Sequence, residues 1–85
     1  MQAQTLQHAL ALAGQAGNVR EAAARLRNQL APLRVVVVDA AEMRHEQAAA
    51  SDHRHRLYLG TSDGHCWAVT DDLAQATGLF IAACE

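Results

Sequence analysis

Four residues of this chain have the chemistry of transition-metal ligands: His53, His55, His65 and Cys66. His53-x-His55 leads into a stretch of alternating apolar residues, and alternate residues of a strand share a face. His65 and Cys66 open the return stretch, and imidazole with thiolate suits zinc or a similar borderline ion. The spacing works against a single centre. A hairpin built from these stretches puts the two groups at its opposite ends, roughly 20 Å apart by strand rise. A shared site then needs the Ser51–Arg54 loop to fold back, or ligands from two subunits. Surface histidines and a small apolar Cys66 packed on the sheet are the simpler expectation.

Other chemistries find less support. Cys66 and His65 are adjacent on a strand and point to opposite faces, so they do not form a nucleophile–base pair. No nucleophile elbow or oxyanion-hole motif accompanies them. Asp39 ends an apolar stretch, and Glu42, Arg44, His45 and Glu46 follow it. Such residues line ligand crevices at the carboxyl ends of strands in open α/β sheets. With no Gly-rich loop beside them, Asp39, Glu42 and His45 remain a candidate crevice, and Asp39 reads more simply as a helix N-cap. No cofactor is expected.

The elements that must position these residues come from periodicity and punctuation. Residues 3 to 14 read as a helix through Leu6, Ala9, Leu10 and Ala13. Gly14 and Gly17 interrupt it. Asn18 with Glu21 has the spacing of a capping box, and Val19, Ala22, Ala23, Leu26 and Leu30 form the stripe of a second helix ended by Pro32. So short a turn makes the two helices an antiparallel pair.

The stretch Gly17-Asn18-Val19-Arg20-Glu21-Ala22-Ala23-Ala24-Arg25-Leu26 resembles part of the Fis-type helix-turn-helix over about ten residues. In that family a recognition helix follows and enters the major groove. Here Pro32 and a run of valines follow, so DNA binding is not expected.

Leu33 to Val38 reads as a strand. Its unbroken apolar run implies two covered faces and a central place in the sheet. Asp39 and Glu42 suggest a short helix to about Ala49. Leu57 and Leu59, then Trp67 and Val69, alternate as a hairpin around Ser62-Asp63-Gly64. A three-residue loop pairs Leu59 with Trp67 and Leu57 with Val69, which puts all four on one face. That face is either core or, where helices leave it uncovered, a dimer interface. Thr70 or Asp71 caps a final helix; either it continues through Gly78 to Ala83, at a cost of about 1 kcal/mol for the glycine, or it stops there and Leu79 to Ala83 is a fourth strand, and the helix is the expectation adopted.

The expected fold is a single α+β domain over residues 1–85. It has an N-terminal antiparallel helix pair, a three-stranded sheet of one buried Val strand plus a hairpin, and a C-terminal helix. The seven basic residues are all Arg, the net charge is −2, and nothing in it favours nucleic acid or an anionic membrane. Two cysteines are too few for a disulfide scaffold, residues 1 to 7 hold no signal-like run, and Leu79–Cys84 is too short to span a bilayer. A cytoplasmic place follows. A core made largely of Ala leaves a thin stability margin, which self-association relieves. The function expected is a non-enzymatic protein-binding or self-assembly module, most simply a homodimer; the alternative is a metal- or small-ligand-binding protein using the His/Cys group.

Overall fold

A computed structural model describes residues 1–84. Helix α1 spans Ala3–Gly14 and α2 spans Val19–Gln29. Strands β1 (Arg34–Val37), β2 (Ala50–Ser51), β3 (His55–Ser62), β4 (Trp67–Thr70) and β5 (Gly78–Ala83) follow. Both helices fall where their apolar periodicity puts them. Asn18 Oδ1 accepts the Glu21 N–H at 2.8 Å, while the Glu21 carboxylate accepts from Gly17 N–H at 3.2 Å rather than from Asn18. Ala9, Ala13, Ala22 and Ala23 are fully buried, so small side chains set the close approach of the pair. Leu6 and Leu26 fill the space towards the sheet.

The sheet corrects the expected fold. Five strands are present, in the order β1-β5-β3-β2, with β4 also on β3, and no C-terminal helix forms among the described residues. β1 is parallel to β5; every other pairing is antiparallel. Residues 78–83, expected to continue a helix, are the central strand β5, buried from Gly78 to Ala82. A short unbroken apolar run serves a helix or a two-sided strand equally by pattern alone. Ladders on both edges and side chains buried on both faces decide for the strand. Residues 71–77 form turns closed by Thr70 and Asp72 side chains.

The Val strand is correspondingly an edge strand, not the central one. Val35 is buried beneath α2, whereas Val36 and Val37 are 38% and 39% exposed. The segment after it makes turns rather than a short helix; Asp39 Oδ1 accepts the Ala41 N–H at 2.9 Å.

The hairpin register also differs. Ser62 pairs with Trp67 and Gly60 with Val69, leaving Asp63–Cys66 as the turn. Asp63 Oδ1 accepts from the Cys66 and His65 N–H groups, both at 2.9 Å, and Gly64 adopts a φ of 97°. This side-chain-closed turn lengthens the loop and moves the register by an odd number of residues. Trp67 and Val69 therefore face away from Leu57 and Leu59.

Each face of the sheet has its own cover. Leu57, Leu59, Leu79, Ile81 and Val35 pack under the helices, with Leu73 and Ala76 of the 71–77 crossing. Tyr58, Phe80 and Ala82 pack under Met43 of the segment that links β1 to β2. Beyond Met43, Trp67 leans over two glycines that face each other across strands, Gly60 and Gly78. Its indole meets the Phe80 ring edge-on, with centroids 6.2 Å apart.

A methyl group at Gly78 would lie 2.8 Å from the Arg34 carbonyl oxygen and 3.0 Å from the indole. The first neighbour is backbone and cannot yield cheaply. Gly78→Ala is expected to destabilise the fold by about 1–3 kcal/mol. Denaturant unfolding should show this as a lower midpoint at unchanged slope.

Candidate functional site

The feature that most needs a partner is the open side of β1. Among the described residues β1 pairs only with β5. The Val38 N–H donates to the Ile81 carbonyl at 2.9 Å, so residue 38 turns its main chain towards β5. Strand alternation then turns the N–H and C=O groups of Val35 and Val37 outward. A side-chain contact agrees with that direction. Arg27 of α2 places its Nε 3.1 Å from the Val35 carbonyl oxygen. One outward acceptor is thus covered by a charged donor, and Val37 is left open. A charged residue set against an edge strand is a common way to discourage pairing with other chains.

Apolar surface continues from this edge. Val36 stands beside Phe80 in register, on the same face as Trp67, which is 39% exposed. Val36, Val37 and Trp67 are the large apolar side chains left exposed among the described residues. Of the four residues expected to share an interface face, Trp67 and Val69 lie on this side. Leu57 and Leu59 are buried against the helices.

The candidate ligands divide between the two ends of β3. His65 and Cys66 are exposed in the β3–β4 turn; His53 precedes β3 and His55 begins it. No three His, Cys, Asp or Glu side chains among the described residues come together as a ligand set. The thiol nearest His55 is that of Cys84, not Cys66: Cys84 and Ala83 join His53, Arg54, His55 and the Gly17–Val19 turn around a cleft of about 460 Å³. Asp39, Glu42 and His45 are exposed on the turns after β1, with the Asp39 carboxylate engaged by Ala41 N–H.

The lower end of β3 is held by polar contacts. Asp52 Oδ1 accepts from the Arg54 and His55 N–H groups, each at 2.7 Å. The Arg54 guanidinium reaches the Ala16 carbonyl at 3.3 Å, and the Cys84 thiol donates to the Asp52 carbonyl at 3.3 Å. His55 is 3% exposed, and its Nδ1 has no hydrogen-bond partner among the described residues. Spacing alone did not reveal the Asp52 turn or Cys84. The sequence signal for Asp52 is an Asp just ahead of the alternating Leu57–Leu59 stretch, where its carboxylate can accept N–H groups two and three residues on.

Comparison with known proteins finds no matching family model, no matching curated protein and no matching solved structure. No helix among the described residues is long and apolar enough to cross a membrane.

Partial burial pushes the Asp52 carboxyl upward, but the Arg54 and His55 N–H bonds and the nearby His55 and His53 imidazoles outweigh it and hold it below the ordinary Asp value. A depressed carboxyl stabilises the fold above its unfolded-state pKa, and that stabilisation is lost as pH falls through the folded value. Asp52→Asn is therefore expected to be the less stable protein at neutral pH. Unfolding midpoints measured from about pH 7 to pH 2 should converge for the two proteins below about pH 4.

Proposed function

We propose that this chain is a protein-binding, self-assembly module that works through the open edge of β1 and the apolar surface beside it, with a second copy as its most direct partner. One observation carries this reading. Val36 and Val37, each more than a third exposed, lie on a strand whose outward main-chain groups have no strand beside them among the described residues. Addition of a strand to such an edge supplies main-chain hydrogen bonds and covers alternate side chains. Trp67 extends the apolar area on one face, and aromatic residues of this kind anchor interfaces. The two free thiols, Cys66 and Cys84, suit work in a reducing compartment such as the cytoplasm.

Sedimentation velocity over a range from about 1 μM to 1 mM tests the reading. The wild-type chain should associate with rising concentration, and Trp67→Ser should weaken that association. A chain that sediments as a monomer throughout would sink self-assembly.

A second reading, small-ligand binding in the cleft near His53 and Cys84, rests on the buried His55 imidazole and its unpartnered Nδ1. An unpaired buried polar atom carries a desolvation cost of about 1–3 kcal/mol, which a bound group would relieve. Native mass spectrometry should then show an adduct that His55→Leu abolishes. A wild-type chain without adduct, combined with a His55→Leu chain that is more stable, would remove this reading.

A further inference from the structure

We infer that two copies pair through β1 in antiparallel register about a two-fold axis at Val36, with Arg27 acting as a guard that competes for the Val35 carbonyl at that edge. This rests on the self-assembly reading and specifies its geometry. In an antiparallel pair, residues that exchange both hydrogen bonds must each point their main chain at the other strand. On β1 the outward residues are Val35 and Val37. An axis at Val36 sets Val35 opposite Val37 of the second copy, and Val37 opposite its Val35, so both pairs are of the bonded kind.

Neighbouring two-fold registers spend groups that are already taken. Shifting the axis towards residue 35 sets Val37 against Leu33, whose N–H donates to the Leu30 carbonyl at 2.9 Å. Shifting it towards residue 37 sets Val35 against Asp39, whose carbonyl accepts the Glu42 N–H at 3.0 Å.

The side chains agree with the same axis. Val36 meets its own copy as a close non-bonded pair, which covers a side chain now 38% exposed. Arg34 falls opposite Val38, and Leu33 opposite Asp39, so no like charges oppose one another. The pairing also requires the Val35 carbonyl to accept from the Val37 N–H of the second copy. Arg27 Nε holds that oxygen in the single chain, 3.1 Å away. A strand contact this short buries less than the roughly 1,200 Å² of a standard stable interface, so the dimer should be reversible and concentration-dependent.

Three variants and a mixture test this by sedimentation equilibrium, with circular dichroism as the check on folding. Val36→Lys and Val36→Glu each place like charges face to face on the axis and should weaken dimerisation at least about tenfold. An equimolar mixture of the two should regain a dimer, because Lys then faces Glu. Arg27→Met keeps the aliphatic stem but removes the donor, and should tighten the dimer about tenfold or more.

Should the charged variants fail to fold, Val36→Cys replaces them. Cross-strand non-bonded partners have Cα atoms about 4.5 Å apart, within disulfide reach; in a chain also carrying Cys66→Ser and Cys84→Ser, mild oxidation should then yield a covalent dimer that the same chain retaining Val36 does not form. A wild-type dimer unaffected by Val36→Lys, or a folded Val36→Cys chain that does not cross-link, would overturn the axis and leave self-assembly standing. An unchanged dissociation constant in Arg27→Met would overturn the guard. If both the wild type and Arg27→Met stay monomeric to 1 mM (roughly the limit set by a weak pairing), the pairing and the self-assembly reading fall together.

Discussion

The main chain of β5 is buried on both faces of the sheet, and a buried N–H or C=O without a partner costs free energy comparable to a lost hydrogen bond. Both of its edges must therefore be paired. β3 satisfies one edge over six residue pairs and β1 the other over four. β5 follows β1 and β3 in sequence yet lies between them, so the segments that link the strands must cross the faces of the sheet. The linking segments are arranged accordingly. Residues 39–49 pass over one face, where Met43 packs, and residues 71–77 cross on the other beside Leu73 and Ala76. Close approach at the top of β5 depends on Gly78 facing Gly60, which leaves a floor flat enough for the Trp67 indole.

What could be read from the sequence was what local interactions determine. Asn18 and Glu21 announce a helix start whatever the rest of the chain does, and the apolar stripe of Val19, Ala22, Ala23 and Leu26 makes sense only on a helix. Leu57 and Leu59 alternate clearly enough to mark β3. The fold was lost at residues whose conformation is a matter of neighbours. Leu79-Phe80-Ile81 has no period, and only the strands on either side make it extended. An unbroken run of valines implies cover on both sides, yet β1 is an edge strand, because composition reports preference for a sheet and not position within it. Of the candidate site, Trp67 was legible as a residue needing cover. Its face was not, because the Asp63 side chain closes a longer turn than Ser62-Asp63-Gly64 suggests, and an odd shift exchanges every side chain between faces.

The distribution of side-chain size explains why the exposed apolar surface lies where it does. On the helix side, alanines permit the two helices to sit close above Leu57, Leu79 and Ile81, and that side is well filled. Among the described residues the other side carries no helix. Met43, Tyr58, Phe80 and Ala82 make a small cluster, and Trp67 covers only the glycine floor. Val36 is not part of the Met43 cluster and lies at the margin of the sheet, 38% exposed among the described residues. Its exposure follows from the placement of β5, since the strand that occupies the centre pushes the valines outward.

The polar and apolar demands of the sheet are also spatially separate. His55, Asp52, Arg54 and Cys84 gather where β3 begins and β5 ends, together with the turn between the helices. The open edge belongs to β1, and no β1 residue lines that cleft. Pairing along β1 would extend the sheet sideways while leaving the cleft at its end as it stands in the single chain. The link between the two regions is α2. Its first turn borders the cleft through Val19, and its last turn carries the Arg27 side chain to the Val35 carbonyl. One helix of eleven residues thus borders both regions, packed between them on Val35 and the helix-side core.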